Sequence, residues 1–501
     1  MMAQSLSSLL QGIDAVETFG NLQAEISSLC YDSRQATPDS LFFALPGVEA
    51  DGHDFVAAAI DKGARAVVMQ RPQELPASVA GILVADPRRA MGLIAKNFYA
   101  DPLQGLPLVG ITGTNGKTTV SYLVEAILKQ AGLRPAVFGT VAYRFEAQSV
   151  PAEHTTPESV DLYRLFRQFR DAGCNAVVME VSSHALAQQR VAGLEFSVAV
   201  LTNLTPEHLD YHRDMESYFA AKRLLFNGPG QAVVNIDDPF GIRLARELGG
   251  AITVSTLQQA TVAASQVNLS LDGISSSLSY GGTHYQLRSP LLGQFNLQNL
   301  LCAAGVGLGL GLDATTVLVG LGQATRVPGR LEAVPNNFGC QVLVDYAHTG
   351  DALEKALAAL QGVEPKRILT LFGCGGDRDR GKRPVMGEVA AHASDLVIVT
   401  SDNPRTESPE AIIADIRPGV ERVYPQELSR KQAAEPGARG FVVVEDRRSA
   451  IEYAVSLLQA GDVLLVAGKG HEDYQILGRD KIHFDDREEL ARAITLREQA
   501  A

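Results

Sequence analysis

Apolar and polar positions along the chain fall into three successive patterns. Residues 1–104 carry short β-like runs, such as Ser40–Leu45 and Ala66–Met69, with turn residues between them. The segment Tyr99–Pro107 holds two prolines and a glycine and reads as a linker. The second pattern opens on the apolar run Leu106–Ile111, passes through Thr112–Thr119 and continues into a helical periodicity over Val120–Ala131. Continuous apolar runs then recur at Ala176–Met179, Val198–Leu201 and Ala232–Ile236, separated by helical segments, which predicts buried strands of a mainly parallel sheet. Ser255–Tyr285 alternates more and is rich in Ser, Thr and Gly, as a small antiparallel addition would be. The third pattern begins near Val334. Its strand candidates are Val342–Val344, Ile368–Phe372, Leu396–Val399, Phe441–Val444 and Val463–Val466, with helices such as Asp351–Leu360 between them. The expected fold class is therefore α/β in three domains: a smaller N-terminal domain (1–104), a central P-loop-type domain (105–333) and a C-terminal Rossmann-like domain (334–501).

Polar clusters follow the third domain's strands: Asp345 and His348, then Gly375–Arg378, then Asp402–Arg405, then Gly468–Glu472. Open α/β sheets bind ligands beyond the carboxyl ends of their strands, so these clusters predict a crevice. In the second domain, Gly110-Ile-Thr-Gly113-Thr-Asn-Gly116-Lys117-Thr118-Thr119 lies between a strand and a helix. Its glycines let backbone N–H groups approach phosphate oxygens, the helix N-terminus favours an anion, and Lys117 adds a point charge. Thr118 can offer a hydroxyl to magnesium. The spacing departs from the strict Walker form, with Ile111 at a glycine position. Gly376-Asp-Arg-Asp-Arg-Gly381-Lys382 has the strict spacing but is too charged for a phosphate cradle, with Arg383 in place of Ser/Thr; it reads as a substrate loop. The glycine-rich run Gly305–Gly311 follows no strand and predicts close helix packing. Phosphates imply a metal with oxygen ligands near the loop; Glu180 ends a strand as a Walker-B-type acid would, and His208 and Asp210 follow another strand of the same sheet.

Composition narrows the partners. A net charge of −13 argues against a general nucleic-acid binder, but not against an anionic small substrate met by local cations. The five cysteines form no CxxC pair and are odd in number, as expected of free thiols in a reducing compartment. Neither a signal peptide nor a membrane-spanning apolar run is visible, so a cytoplasmic chain without membrane insertion is expected, acting as a monomer.

Taken together, the phosphate loop, Glu180-Val-Ser-Ser-His184, His208-Leu-Asp-Tyr-His212, Phe295-Asn-Leu-Gln-Asn299, Pro328-Gly-Arg-Leu-Glu332 and Asp345-Tyr-Ala-His348 resemble the Mur ligases. Asp402-Asn-Pro-Arg405 with Gly468-Lys-Gly-His-Glu472 resembles the branch that adds meso-2,6-diaminopimelate to UDP-N-acetylmuramoyl-L-alanyl-D-glutamate. The likeness runs from Asp32-Ser-Arg34 to Glu472. It implies one domain each for the UDP group, for ATP and for the incoming amino acid. Tyr31, Ser33, Val48, Glu49 and Ala50 would contact the UDP part, and His154, Thr155, Thr156, Ser182, Gln188 and Arg190 the muramoyl-dipeptide. ATP would meet Gly113, Thr114, Asn115, Gly116, Lys117, Thr118, Thr119, Asn296, Asn299, Arg330 and Asp345. Diaminopimelate would meet Arg378, Asp402, Asn403, Pro404, Arg405, Gly468 and Glu472. Magnesium would be held by Thr118, Glu180, His208 and Lys222, the last matching the family's carbamylated lysine; Lys117, Lys222, His208 and Arg190 would form the catalytic set. His154, Arg213 and Gly350 depart from the family pattern.

On sequence chemistry alone, Lys222 reads rather as a surface helix lysine, and only the resemblance tips the choice; the alternative for Glu472 is a loop or capping acid, common in Gly-x-Gly-x-Glu turns. A kinase or simple NTPase would share the phosphate loop without needing the third domain's polar strand ends. A non-catalytic nucleotide binder would not need Glu180, His208 and Lys222 together. Folylpolyglutamate synthetase shares the general plan, but Asp402-Asn-Pro-Arg405 argues against it. The reaction expected is attack of a substrate carboxylate on the γ-phosphate of ATP, with Lys117, magnesium and Arg190 offsetting the repulsion, followed by amine attack on the acyl phosphate.

Overall fold

A computed structural model describes residues 3–47, 50–270, 272–324 and 327–500. Two compact units account for it: residues 1–254 with 302–317, and residues 255–301 with 318–501.

The first unit contains two larger sheets besides the two-stranded pairing of Gln4–Ser5 with Glu25–Ile26. The N-terminal one runs in the order Ala15–Phe19, Ala80–Val84, Ala64–Met69, Ser40–Phe43, Ser28–Cys30, antiparallel only at its first pair. Ser40–Phe43 is buried along its whole length, as expected of a strand covered on both faces. In the second sheet, the strands Pro135–Phe138, Ala176–Glu180, Leu108–Thr112, Val198–Leu201, Gln231–Asn235 and Ile252–Ser255 are mutually parallel in that order. A short hairpin, Ala142–Phe145 and Gln148–Pro151, extends it antiparallel beyond Pro135–Phe138. One apolar core joins the two sheets through the helices Pro87–Phe98 and Ser159–Asp171, with Phe98, Tyr163, Phe166 and Phe169 buried in it.

The glycine-rich run belongs to the helix Gln294–Gly309. A Cβ at Gly305 would lie 2.7 Å from Val233 Cγ1, and one at Gly307 2.6 Å from Val317 Cγ2. Gly305 therefore lets the helix seat directly on the sheet and Gly307 lets it pack closely against the helix Ala314–Gln323, the packing role expected of this run.

In the second unit, Val262–Ser270, Gly273–Tyr280 and Thr283–Ser289 form the antiparallel meander that the alternating pattern suggested. The larger sheet runs Glu332–Ala333, Gln341–Asp345, Asp462–Ala467, Arg367–Phe372, Leu396–Val399, Gly440–Val443, all parallel except the short first strand. The last strand in sequence, Asp462–Ala467, is inserted between the first two long ones and is buried throughout. Separate apolar cores cover the two faces. The doubly wound order brings the segments after Asp345, Phe372, Val399 and Ala467 to one end of the sheet.

No helix among the described residues is long and apolar enough to cross a membrane.

Candidate active site

The phosphate loop sits at the carboxyl end of Leu108–Thr112. Gly113 (φ +149°) and Gly116 (φ +87°) adopt backbone conformations that a Cβ would resist. At Gly113 space is also closed, since a Cβ would lie 1.9 Å from Thr202 Oγ1. Gly116 caps the helix Lys117–Gln130, which explains why that helix starts three residues before the apolar periodicity does. The neighbouring strand end clamps the loop. Thr114 N donates to Asn203 O (2.9 Å), Asn115 N to Asn203 Oδ1 (2.9 Å) and Thr202 Oγ1 to Asn115 O (2.6 Å). This clamp was not among the expected site residues; the adjacency of the two strands, which creates it, is a long-range fact.

Two lysines converge on the loop. Lys117 Nζ donates to the carbonyls of Gly113 and Thr114, both at 2.9 Å. Lys222 Nζ donates to the same Gly113 carbonyl at 2.9 Å and lies 4.5 Å from the centre of the Tyr218 ring. Lys222 is 2% exposed, which rules out the surface-lysine alternative. Burial, and then the Lys117 ammonium, push its pKa well below the ordinary lysine range.

Glu180 ends its strand fully buried beside the loop. Its Oε2 accepts from Thr118 Oγ1 (3.1 Å) and Thr140 Oγ1 (3.0 Å), and its Oε1 accepts from Thr140 N (3.1 Å). Thr118 and Glu180 are the oxygen donors a hard divalent cation takes, so this corner fits magnesium. Lys222 fits as a ligand only if its amine is converted to an oxygen-bearing group. His208 stands at φ +57°, with its ring 4.9 Å from His184 and 6.4 Å from Tyr218. His184 itself is pushed down to about 4 by burial and by His208, so it is neutral at physiological pH. His212 bonds Ser183 Oγ at 2.9 Å. Among the described residues, no group of three or more His, Cys, Asp or Glu side chains gathers as a metal cluster.

The residues expected to hold the dipeptide surround Glu180 and Glu158. Thr156 Oγ1 donates to Glu180 O (2.9 Å) and accepts from Ser182 N (3.1 Å); Thr155 Oγ1 lies 3.1 Å from Thr140 Oγ1. Arg190 pairs with Glu158 (3.0 Å) and donates to Thr156 O (2.9 Å) and Gln188 Oε1 (2.8 Å). Its charge is thus already matched, and the guanidinium is held in place. The Tyr143 hydroxyl donates to the carbonyl of His154, so His154 enters this region through its backbone. Among the residues expected at the UDP group, Tyr31 OH donates to Asp161 Oδ2 (2.6 Å) and Ser33 opens a single 3-10 turn capped by Asp32. Ala50 is exposed, whereas Val48 and Glu49 lie outside the described residues.

In the second unit, Asn296 and Asn299 are buried on one helix; Asn296 Nδ2 donates to Leu292 O (2.8 Å) and Asn299 Nδ2 to Asn296 Oδ1 (3.0 Å). Asp345 accepts from Leu331 N (2.7 Å) and Ala347 N (2.8 Å), and burial raises its pKa. Arg330 stacks 5.0 Å from the Tyr346 ring centre.

The polar strand ends expected to form a crevice do come together. Arg405, in left-handed backbone at φ +52°, donates from Nη1 to Gly376 O (2.8 Å). Gly376 N donates to Asn403 O (2.9 Å), and a Cβ at Gly376 would lie 1.9 Å from Pro404 O. Asn403 Nδ2 donates to Glu472 Oε2 (2.8 Å). Burial and then Asp402 raise the Glu472 pKa above the usual carboxylate range, with Lys469, the Asn403 hydrogen bond and Arg405 acting against the shift. Gly468 (φ +115°) faces Asp402, where a Cβ would stand 3.1 Å from Oδ2. Arg378 is exposed and donates to the carbonyl of Asp377 (3.1 Å). Arg383 is fully buried between Glu407 (2.7 Å) and Asp415 (2.8 Å); a structural ion pair therefore occupies the position where a phosphate loop would carry Ser or Thr.

Known proteins resemble this chain over most of its length. Family models match at residues 25–99 (Mur ligase family, catalytic domain), 111–307 (Mur ligase middle domain) and 329–470 (Mur ligase, glutamate ligase domain). The UDP-N-acetylmuramoyl-L-alanyl-D-glutamate--2,6-diaminopimelate ligase of Geobacter metallireducens is 51% identical over 499 residues, 97% of this chain and 98% of the relative. The ligase of the same name from Gloeobacter violaceus is 46% identical, covering 94% of each chain. A solved structure of a UDP-N-acetylmuramoyl-L-alanyl-D-glutamate--2,6-diaminopimelate ligase superposes with a TM-score of 0.73 at 31% identity, over 99% of this chain and 100% of that one. The MurF of Acinetobacter baumannii, at 20% identity and a TM-score of 0.63 over 93% of this chain and 96% of its own, shares the fold.

Proposed function

The chain belongs to the Mur ligase family, with its three-domain architecture, and from that premise we propose that it joins meso-2,6-diaminopimelate to UDP-N-acetylmuramoyl-L-alanyl-D-glutamate at the expense of ATP, in peptidoglycan precursor synthesis. The domains are 1–104 for the UDP substrate, 105–333 for ATP and 334–501 for the amino acid. The observation that carries the reading is geometric: one set of strand ends gathers a guanidinium and a carboxylate, with Arg405 bonded to Gly376 O, Gly376 N to Asn403 O and Asn403 Nδ2 to Glu472. The far end of diaminopimelate carries an ammonium and a carboxylate; that of lysine carries only the ammonium. Arg405 offers the planar fork that a carboxylate needs, and Glu472 offers the partner for the ammonium. Arg378 supplies a second cation at the rim.

The chemistry follows from charge and geometry. A carboxylate oxygen of the dipeptide attacks the γ-phosphorus of ATP, the bond to the β-phosphate oxygen breaks, and ADP leaves. The diaminopimelate nitrogen then attacks the acyl carbon; the C–O bond to phosphate breaks, an amide forms, and the nitrogen loses its proton. The loop N–H groups and Lys117 bind the ATP phosphates. Arg190, fixed by Glu158 and Gln188, positions the dipeptide with Thr155, Thr156 and Ser182. Asn296, Asn299, Arg330 and Asp345 serve the nucleotide. Magnesium, held by Thr118, Glu180, His208 and Lys222, would lower the repulsion between the two anionic reactants. Lys222 joins that set as a carbamate. Burial lowers the pKa of its amine, which favours the neutral nitrogen, and a neutral amine adds to CO2 with loss of a proton, turning a cation into an oxygen donor. The use of ATP and a nucleotide-linked substrate supports a cytoplasmic reaction, carried out by the chain as a monomer.

The test is phosphate release from ATP in the presence of the UDP-dipeptide. Release should require meso-diaminopimelate, and L-lysine should substitute poorly. Arg405→Ala should lose discrimination between the two by about 2–4 kcal/mol, the size of a buried charged pair. An unchanged ratio of kcat/KM values in the mutant would remove Arg405 as the selector.

A further inference from the structure

Lys469 had no expected role. It is fully buried, 0% exposed, directly beneath the strand ends that carry Asp402, Asn403 and Glu472. Its Nζ stands 3.1 Å from Asp402 Oδ1, donates to Asn403 Oδ1 at 3.0 Å and to Tyr474 O at 2.7 Å, and lies 4.0 Å from Glu472 Oε2. Asn403 Oδ1 also accepts from Ile476 N at 3.0 Å. With two donors aimed at that oxygen, the Asn403 amide has one satisfactory orientation, and it points Nδ2 at Glu472 Oε2, 2.8 Å away. Lys469 therefore fixes Asn403, and Asn403 fixes Glu472.

The charges lead further. Two carboxylates, Asp402 and Glu472, lie in or under this corner. Arg447, the other buried cation nearby, donates to Ser401 O (3.3 Å) and Ala467 O (3.1 Å), but its charge is matched by the fully buried Asp486 at 2.6 Å. Lys469 is thus the cation that neutralises Asp402. With Asp402 neutralised, the strand ends themselves present one anion, Glu472, and one cation, Arg405, with Arg378 exposed at the rim outside them, a balance that suits a zwitterion. Without Lys469 the corner would present two anions and suit a plain ammonium.

We propose that Lys469 is a specificity-determining positioning residue: by neutralising Asp402 and orienting Asn403 and Glu472, it makes the amino-acid pocket select a zwitterionic side-chain terminus over a cationic one. This rests on the reading of the site as the diaminopimelate pocket. The experiment measures kcat/KM for meso-diaminopimelate and for L-lysine in the full-length wild type, Lys469→Met, Asp402→Asn and the double variant. Lys469→Met should reduce the diaminopimelate-to-lysine ratio by about tenfold or more, chiefly through the KM for diaminopimelate, with the KM for ATP unmoved. Asp402→Asn should raise the ratio, and the double variant should return it toward the wild-type value. Equal loss on both amino acids in Lys469→Met would mark a purely structural lysine and overturn the inference. If Lys469→Met does not fold, Asp402→Asn and the double variant decide: identical ratios in these two and the wild type overturn it. A wild type with no preference for diaminopimelate would instead sink the underlying reading, and the inference with it.

Discussion

At the scale of single residues, the phosphate-loop corner holds a charge arrangement that costs stability. Folded Lys222 binds fewer protons than the unfolded chain between its depressed pKa and the ordinary value of 10.5. Wild-type stability therefore rises with pH across that window. Lys222→Met should be more stable than wild type at neutral pH in CO2-free buffer, and the gain should shrink as pH approaches that ordinary value; denaturant melts at several pH values would check the slope. The same variant should be nearly inactive, and Lys222→Ala should regain turnover with added short-chain carboxylates. Arg213 offers a second test. It sits at φ +70°, ψ −47°, with Asp214 N donating to His212 O at 2.9 Å, which is a tight three-residue turn that side chains strain. Glycine adopts such a backbone without that strain. Arg213→Gly should stabilise by about 1 kcal/mol, the relieved backbone strain less glycine's extra entropy in the unfolded chain, read as a higher Tm. Lys117 was legible from loop spacing because its neighbours in sequence are its neighbours in space. Lys222 was not: its burial depends on contacts with residues about a hundred positions away, and only the resemblance to known ligases singled it out. Lys469 sat inside a quoted motif, yet nothing local distinguishes a buried lysine from an exposed one.

At the scale of elements, apolar runs located four strands of the central sheet and five of the C-terminal one to within one or two residues, since a strand buried on both faces reads as continuous apolar sequence, but Pro135–Phe138 and Ile252–Ser255 were not among them. Ends were less legible. The helix Lys117–Gln130 begins where Gly116 turns, and Gly440–Val443 begins one residue before the apolar run because pairing, not polarity, sets its start. Strand order was hidden as well: placing Asp462–Ala467 between Gln341–Asp345 and Arg367–Phe372 brings Gly468–Glu472 against Asp402–Asn403. The helix Gln294–Gly309 shows the converse, a packing feature open to sequence. Gly305→Leu should overpack the contact with Val233 and destabilise by about 1–3 kcal/mol, lowering the Tm while leaving the substrate KM values of the folded fraction unchanged.

For the whole molecule, ligand binding should be visible as stability. ATP with magnesium, at 100 times its Kd, should stabilise the fold by about 2.7 kcal/mol, and Lys117→Ala should lose most of the accompanying Tm shift while keeping its own unliganded Tm. The path of the chain has a consequence during synthesis. The first compact unit is built from residues 1–254 and 302–317, so its strands Gln231–Asn235 and Ile252–Ser255 are finished well before the helix segment that seats on them. About fifty residues separate the two. At ribosomal speeds of roughly 5–20 residues per second, Val233 and Val254 stay uncovered for about 2–10 seconds in each nascent chain. That interval is when a holdase would find its grip, and an arrested chain ending at Val254 should be bound by one where a chain extended past Val317 is not.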